Sequence, residues 1–308
     1  MMSNNKATGL KSAIDAFIRR RGIEAGMDQN LMKEAIHLHL LSALSEAGVL
    51  QHVVFQGGTA LRLCYGGERY SEDLDFVWGK AGSYLKDVEF DGLVGKAMET
   101  TKRPLQRDFD IDAEQITLKR PAQPKFIDGS GVNVATWQIV VPVTPTPRAP
   151  KSRIKIEFAN VPSYDFKPVA VGITPGLVQI QDVILNTETA NEILADKAVA
   201  LTARTTLKFR DVWDVWYLTN KLDAAADPKM VLKKFADYGT TDVEPKANAR
   251  LKELAQEATA KAFLAEMRRF LPSARVAQMA QMNLQNTMLS DSANLLRQTV
   301  AAPTFPKP

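Results

Sequence analysis

Cysteine and histidine are scarce in this sequence. A single cysteine, Cys64, among 308 residues excludes a disulfide within the chain, and such sparing use of cysteine is typical of cytoplasmic proteins. Cys64 falls in the apolar stripe of a predicted helix, which favours a buried thiol over a reactive one. His37, His39 and His52 do not have the spacing of a metal site, so we interpret them as structural or surface residues.

Long apolar runs are missing as well. No run of about 18 apolar residues occurs, so we expect no transmembrane helix and no membrane partner. Residues 1–10 are polar, and residues 11–21 alternate charged with apolar side chains, which does not resemble a signal peptide. With 45% hydrophobic and 24% charged residues, the composition predicts a globular protein of the cytoplasm.

Neither sign of charge dominates strongly. The net charge is +4, and the excess lies in residues 224–308, which hold 12 Lys and Arg against 8 Asp and Glu. The first 223 residues hold 27 of each kind. A small basic surplus is compatible with nucleic-acid binding and, equally, with an ordinary solvated helical surface.

The most informative stretch is residues 55–78. An apolar run leads into the pair Gly57-Gly58 and then Thr59, at the predicted start of a helix. Glycines allow backbone N–H groups to approach a phosphate, and the N-terminus of a helix favours an anion. The turn therefore predicts a phosphate-binding site.

Two aspartates follow this turn in an extended run. Residues two apart in a strand point to the same face, so Asp73 and Asp75 are expected to project together, with Leu74 and Phe76 in the core. Neighbouring carboxylates repel each other unless a cation lies between them, and Mg²⁺ prefers such oxygen ligands together with phosphate. The stretch predicts a site for a nucleoside triphosphate and its metal. The structural alternative is a surface turn followed by an edge strand with two solvated aspartates.

These residues resemble a known family. Gly-Gly-Thr-Ala-Leu-Arg-Leu and Arg-Tyr-Ser-Glu-Asp-Leu-Asp-Phe are similar to motif I of the AbiEii/AbiGii-type nucleotidyltransferase toxins, which include the MenT toxins, within the DNA polymerase β-like superfamily. The resemblance covers roughly residues 35–222. It implies that Gly57, Gly58, Thr59 and Ser71 hold the triphosphate, and that Asp73 and Asp75 bind Mg²⁺.

A second resemblance lies in residues 196–214. Asp-Lys-Ala-Val-Ala-Leu-Thr-Ala-Arg and Lys-Phe-Arg-Asp-Val-Trp-Asp look like the lysine motif and the later aspartate motif of the same family. The resemblance implies that Lys197 and Arg204 contact the triphosphate and that Asp211 belongs to the catalytic site. We interpret Asp214 as a residue that orients Lys197, Arg204 or Arg210. The alternative is a helix pair held together by surface salt bridges.

Glu157 is the candidate third acid. It lies in the extended run Ile-Lys-Ile-Glu-Phe, and in the polymerase β-like superfamily a carboxylate from a neighbouring strand often joins the aspartate pair. There it binds a second metal or accepts the proton of the attacking hydroxyl. The alternative is a lone exposed glutamate.

The periodicity predicts an α+β fold, with a mixed sheet followed by a helical C-terminal part. The resemblance implies that the part with the sheet is a polymerase β-like nucleotidyltransferase core. The expected domains are N-terminal helices at 1–48, the core at 49–186, and a helical domain at 187–308 that contributes Lys197 and Asp211. Asp28 and Thr187 are predicted helix caps. The predicted helices are 10–21, 28–47, 59–65, 84–103, 188–204, 209–222 and much of 228–300; the predicted strands are 49–55, 71–78, 109–119, 134–143 and 153–158, with a short strand and turn in 176–185.

The resemblance also implies a biological role. It predicts a toxin of a toxin–antitoxin or phage-defence (abortive infection) system, with a cognate antitoxin, that transfers a nucleoside monophosphate from an NTP to an acceptor. In the MenT branch the acceptor is the 3′ end of tRNA. Two alternatives stay open: a protein or small-molecule hydroxyl as acceptor, and a non-catalytic NTP-binding partner of an antitoxin.

Overall fold

The computed structural model describes residues 9–24, 26–78, 87–121, 125–126, 132–144, 146 and 148–301. The chain divides into two compact units. The first, which we name the sheet unit, comprises Met1–Pro124, Val134–Ala159 and Pro168–Thr187. The second, the helical unit, comprises Lys125–Asn133, Asn160–Lys167 and Glu188–Pro308.

The first part of the chain alternates helices and strands. Its helices are α1 (Leu10–Arg21), α2 (Asp28–Glu46), α3 (Gly57–Cys64) and α4 (Asp87–Phe109), with 3₁₀ turns at Val49–Gln51 and Ala113–Gln115. Its strands are β1 (Val53–Gln56), β2 (Leu74–Trp78), β3 (Thr117–Lys119), β4 (Lys125–Phe126), β5 (Asn133–Pro142), β6 (Lys151–Pro162), β7 (Phe166–Ala170) and β8 (Ile184–Glu188).

The sheet is mixed, as predicted. Its strands follow the order β3-β5-β6-β2-β1-β8-β7. β1 pairs antiparallel with β2 but parallel with β8, where Phe55 lies opposite Thr187. β5 and β6 correspond to the predicted strands 134–143 and 153–158, and they form a hairpin in antiparallel register from Val134↔Ala159 to Pro142↔Lys151. Two prolines of the connection between them, Pro145 and Pro147, lie outside the described residues.

An aromatic cluster fills the core of the sheet unit behind the aspartate strand. The ring of Phe76 lies 5.0 Å from that of Phe55 and 5.2 Å from that of Phe158, and Phe90 on α4 meets Phe158 at 5.0 Å. Such ring pairs add about 0.5–1.5 kcal/mol each to the burial of their area. Helix α2 is buried on almost every side, because it packs against both α1 and α4. The core therefore fixes the position of β2 from behind.

The helical unit contains the later helices, and the prediction of helices after residue 228 is confirmed. Helix α5 packs against α6, α7 and α8, while α11 packs against α5, α6 and α8. Among the described residues, no helix is both long enough and apolar enough to cross a membrane. The helices are α5 (Ala190–Ala203), α6 (Phe209–Lys221), α7 (Pro228–Asp237), α8 (Val243–Leu254), α9 (Glu257–Met267), α10 (Ser273–Gln281) and α11 (Leu284–Ala301).

Three predicted strands are wrong in extent. The run 49–55 begins with a 3₁₀ turn and becomes a strand only at Val53. The run 109–119 was expected to be extended, but α4 continues to Phe109, a 3₁₀ turn follows, and the strand is confined to Thr117–Lys119. That turn forms because the Asp112 carboxylate accepts a hydrogen bond from the backbone N–H of Glu114. The run 71–78 becomes a strand only at Leu74.

Both predicted caps are wrong. Asp28 is the first residue of α2, and Met27 occupies the cap position without a side-chain hydrogen bond. Thr187 lies in β8, whereas Thr189 caps α5 by accepting a hydrogen bond from the N–H of Glu192 at 3.4 Å. The two threonines are separated by one residue, and the sequence pattern did not distinguish between them.

Two further boundaries differ. The predicted strand and turn at 176–185 is mostly irregular, and β8 begins only at Ile184. Strand β7, Phe166–Ala170, was missed because a proline interrupts its pattern. The helix predicted for 84–103 is α4, which runs further, to Phe109; residues 84–86 lie outside the described part of the chain.

Candidate functional site

The glycine turn forms the start of α3 in the sheet unit. Gly57 has a φ of +76°, a left-handed conformation that glycine adopts without strain. A Cβ atom on Gly57 would also lie 3.0 Å from Oδ2 of Asp75. Backbone geometry and the neighbouring carboxylate thus both require glycine at this position. The structure brings the predicted phosphate turn and the predicted metal ligand Asp75 into contact.

The second glycine faces a different pair of side chains. A Cβ atom on Gly58 would overlap the guanidinium of Arg69 and lie 3.0 Å from Oγ of Ser71. Arg69 is only 4% exposed, and its guanidinium donates a hydrogen bond of 3.0 Å to the carbonyl of Tyr70. Ser71 therefore lies at the glycine turn, and a buried positive charge accompanies it.

Asp73 is held from two sides. The hydroxyl of Thr59 donates a hydrogen bond to the Asp73 carbonyl oxygen, and the N–H of Lys155 on β6 donates to Asp73 Oδ1 at 3.2 Å. Thr59 thus connects the glycine turn to the aspartate, and the side chain is oriented by the neighbouring strand. Asp73 itself lies just before β2, not within it.

Helix α2 fixes the residue before this aspartate. Lys33 forms an ion pair of 2.7 Å with the Glu72 carboxylate, and Nε2 of His37 lies 3.1 Å from the Glu72 carbonyl oxygen. Burial lowers the pKa of His37 to about 4, so its ring is neutral near pH 7 and donates from Nε2. His37 is therefore a structural residue, one of the two alternatives predicted for it, and its buried ring holds the backbone of the segment that carries Asp73.

Glu157 shares a sheet face with Asp75. The rings of Phe76 and Phe158 pack together in the core, so the residues that precede them, Asp75 and Glu157, point to the opposite face. Glu157 is half-buried there, with the ammonium of Lys155 at 3.8 Å. The donors Asp73, Asp75 and Glu157 are all hard oxygens, the type that Mg²⁺ prefers. Among the described residues, however, these three do not form a set whose oxygens all lie within 4.8 Å of one another.

The remaining predicted residues form a network in the helical unit. The ammonium of Lys197 lies 2.7 Å from a carboxylate oxygen of Asp211 and 2.7 Å from one of Asp214. Arg204 binds the other oxygen of Asp211 at 2.5 Å. Lys197 is only 8% exposed, and both aspartates are buried. Burial alone would raise the pKa of Asp211, but the charges of Lys197 and Arg204 outweigh it and lower the pKa to about 2.

This network differs from the surface salt bridges that were the structural alternative. Buried ion pairs are costly to desolvate, and they persist where geometry and hydrogen bonding are good. Trp213, Trp216 and Tyr217 on the same helix are buried and belong to the core of the helical unit. The helical unit thus presents Lys197 in a fixed orientation with two carboxylates around it.

Sequence reasoning missed a buried ionic cluster in the helical unit. Oxygens of Glu188, Glu192 and Asp196 lie within 4.8 Å of one another. The ammonium of Lys234, from α7, lies 3.1, 2.6 and 3.1 Å from them and is fully buried. The sequence does show acidic residues four apart, at Glu188, Glu192 and Asp196. Nothing in that pattern predicts that their partner is Lys234, 38 residues after Asp196.

The cluster is not a good metal site, because the lysine already occupies the place that a cation would take. Glu192 also accepts hydrogen bonds from Oγ of Ser163 at 3.0 Å and from the N–H of Tyr164 at 2.9 Å. Burial raises the pKa of Glu188 well above its usual range, with the charge of Asp196 as a further cause. We interpret the cluster as an anchor of α5, the helix that carries Lys197.

The sequence matches the model of a known protein family. The family model described as "Nucleotidyl transferase AbiEii toxin, Type IV TA system" matches residues 39–293. Among curated proteins, none matches the chain. The crystal structure of JHP933 from Helicobacter pylori is 17% identical, with a TM-score of 0.44, and the match covers 88% of this chain and 92% of that one. A second H. pylori structure, provisionally described as a nucleotidyltransferase, is 16% identical with a TM-score of 0.42, over 85% and 93% of the two chains.

Proposed function

The chain belongs to the AbiEii family of nucleotidyl transferase toxins, of the type IV toxin–antitoxin systems, and from that premise we propose that it transfers a nucleoside monophosphate from an NTP to the 3′ end of a tRNA. Membership in the family makes the protein a nucleotidyltransferase and implies a cognate antitoxin. The proposal adds the acceptor, the dependence on Mg²⁺ and the residues that act.

One arrangement supports the proposal above all others. The Asp75 carboxylate lies directly against Gly57, and Thr59 is hydrogen-bonded to Asp73. A turn suited to anions and a pair of carboxylates suited to a divalent cation therefore adjoin each other. A nucleoside triphosphate with its metal combines these two kinds of charge.

In the proposed reaction, a hydroxyl oxygen of the acceptor attacks the α-phosphorus of the NTP. The bond from that phosphorus to the bridging oxygen breaks, and pyrophosphate leaves. Gly57, Gly58 and Ser71 hold the triphosphate, while Asp73 and Asp75 bind the metal. When bound there, Mg²⁺ would supply positive charge to the attacking and leaving oxygens. Glu157 is the proposed acceptor of the hydroxyl proton.

The helical unit contributes to the same reaction in this proposal. Lys197 and Arg204 neutralise charge on the phosphates, as cations do in phosphoryl transfer. Asp211 contacts both cations, so we assign it the task of positioning them. Asp214 supports Lys197 from the other side.

The experiment uses NTPs labelled at the α- or the γ-phosphate, with Mg²⁺ and total tRNA. We expect label from the α-position, and none from the γ-position, to enter the RNA. Asp75→Asn should abolish the transfer, while Glu99→Gln, which changes an exposed carboxylate on α4, should retain it. Oxidising the 3′-terminal ribose with periodate should block the RNA as acceptor.

Each other outcome has a definite meaning. Label on protein instead of RNA would overturn the RNA acceptor and favour a protein hydroxyl. NTP binding without release of pyrophosphate would indicate a non-catalytic protein. Equal rates of transfer by wild type and Asp75→Asn would mean that the aspartate pair has no part in the reaction. Toxicity of the protein when it is expressed in cells, and suppression of that toxicity by the product of a neighbouring gene, would test whether a cognate antitoxin exists.

A further inference from the structure

The outward face of strands β3, β5 and β6 carries a row of exposed cations. Lys151, Arg153 and Lys155 alternate along β6 with buried neighbours, so their side chains leave the sheet on the face opposite the core. Lys119, on β3, lies in the same row as Lys155, because both pair with Gln138 on β5. We name these four residues the basic strip.

The strip is an extended feature rather than a single charge. Alternate residues on a strand are about 6.6 Å apart, so the three cations of β6 span roughly 13 Å. Among the described residues, no carboxylate pairs with Lys119, Lys151 or Arg153, and Lys155 has only Glu157 at 3.8 Å. Several positive charges on one face of the sheet are therefore available to a partner.

One end of the strip is at the candidate site. The backbone N–H of Lys155 donates to the carboxylate of Asp73 at 3.2 Å. The next outward residue on β6 is Glu157, which shares its face with Asp75. The end of a polyanion bound along the strip would therefore reach Asp73 and Asp75.

We propose that the basic strip binds the sugar-phosphate backbone of the RNA acceptor and directs its 3′ end to Asp73 and Asp75. This inference rests on the proposed function, because it places the acceptor of that reaction. Exposed lysines and arginines that are not paired with carboxylates bind phosphates with release of counterions, without reading base sequence. An acidic protein segment is the competing partner, and the experiment distinguishes it.

The test compares RNA binding by wild type and by the variant Lys119→Gln/Lys151→Gln/Arg153→Gln, in the absence of NTP. This variant leaves Lys155, whose backbone contacts Asp73, unchanged. The matched control is Lys96→Gln/Arg103→Gln, which removes two exposed cations from α4 in the same unit. Thermal unfolding of all three proteins verifies that each is folded. The probe is total tRNA, titrated between about 50 and 200 mM salt.

We expect the triple variant to bind tRNA at least about 10-fold more weakly and to reduce the slope of log K against log salt by about 2, since each contact to a single strand contributes roughly 0.7. The control should bind as wild type does. In the transfer reaction, the variant should raise the KM for RNA and leave kcat at saturating RNA unchanged.

Three results would overturn the inference: unchanged tRNA affinity in the triple variant, equal weakening in the control, or displacement of tRNA by polyglutamate of equal charge, which would indicate an acidic protein partner. The binding measurement does not depend on catalysis. If wild type transfers no nucleotide but binds tRNA through the strip, the proposed function fails while the docking surface stands. If nucleotide transfer occurs and the triple variant has the same KM for RNA as wild type, the docking surface fails while the proposed function stands.

Discussion

Replacement of Asp211 by asparagine tests the ion network around Lys197. The pKa of Asp211 is lowered from 3.8 to about 2, because the cations outweigh the effect of burial. At about 1.36 kcal/mol for each pKa unit, this lowering corresponds to about 2 kcal/mol of folding free energy at pH 7. Asp211→Asn should lose roughly this amount, since the neutral amide interacts more weakly with Lys197 and Arg204.

The pH dependence gives the sign of the effect. A carboxyl group whose pKa is lower in the folded state stabilises the protein above its unfolded pKa, and this stabilisation is lost as the pH falls towards the folded pKa. For Asp211 the relevant window lies between pH 3.8 and about pH 2. Integration gives a loss of about 1 kcal/mol between pH 5 and pH 3, which the asparagine variant should not show.

Urea unfolding, followed by tryptophan fluorescence, measures this difference. Trp213 and Trp216 lie on α6 beside Asp211, with ring centroids 5.1 Å apart, so they report on the helical unit. The matched control is Glu257→Gln, which removes an exposed ion pair and should cost less than about 1 kcal/mol. A difference between wild type and Asp211→Asn that is constant from pH 5 to pH 3 would refute the reasoning.

Two further predictions concern the other buried charges. Lys234→Met leaves two buried carboxylates and the partly buried Asp196 without their cation and should destabilise the protein by about 3–5 kcal/mol, measured by urea unfolding. A loss below about 1 kcal/mol would mean that the cluster does not anchor α5. Gly58→Ala pushes a methyl group into the Arg69 guanidinium and should weaken NTP binding at least about 10-fold, as measured by calorimetry. Gly92→Ala, where a Cβ meets nothing within 4 Å, is its control and should bind NTP normally. An unchanged affinity for NTP in Gly58→Ala would mean that Arg69 and the glycine turn do not bind the triphosphate.

Local patterns predicted much of the sheet unit. Alternation of apolar and charged residues identified β5 and β6, because one face of each is buried and the other is exposed. The contact between the glycine turn and Asp75 follows from a short chain segment and one antiparallel pairing, with Gln56 opposite Asp75. Such short-range arrangements are encoded within about 20 residues.

What the sequence did not reveal depends on distant parts of the chain. Helix α4 continues through Pro104 to Phe109, since packing against α2 outweighs the missing hydrogen bond. The partner of the acidic residues on α5 is Lys234 on another helix, and the clamp on Glu72 comes from His37 in α2. No local pattern specifies which distant side chain fills a buried charge site, so these contacts required the folded structure.

The most direct test of the central claim is the mass of a defined tRNA after incubation with NTPs, Mg²⁺ and the protein. The account predicts that the RNA gains the mass of one or more nucleoside monophosphates at its 3′ end with wild type, and nothing with Asp73→Asn or Asp75→Asn. An RNA of unchanged mass after incubation with folded wild type, or an equal gain in mass with either aspartate variant, would contradict the account.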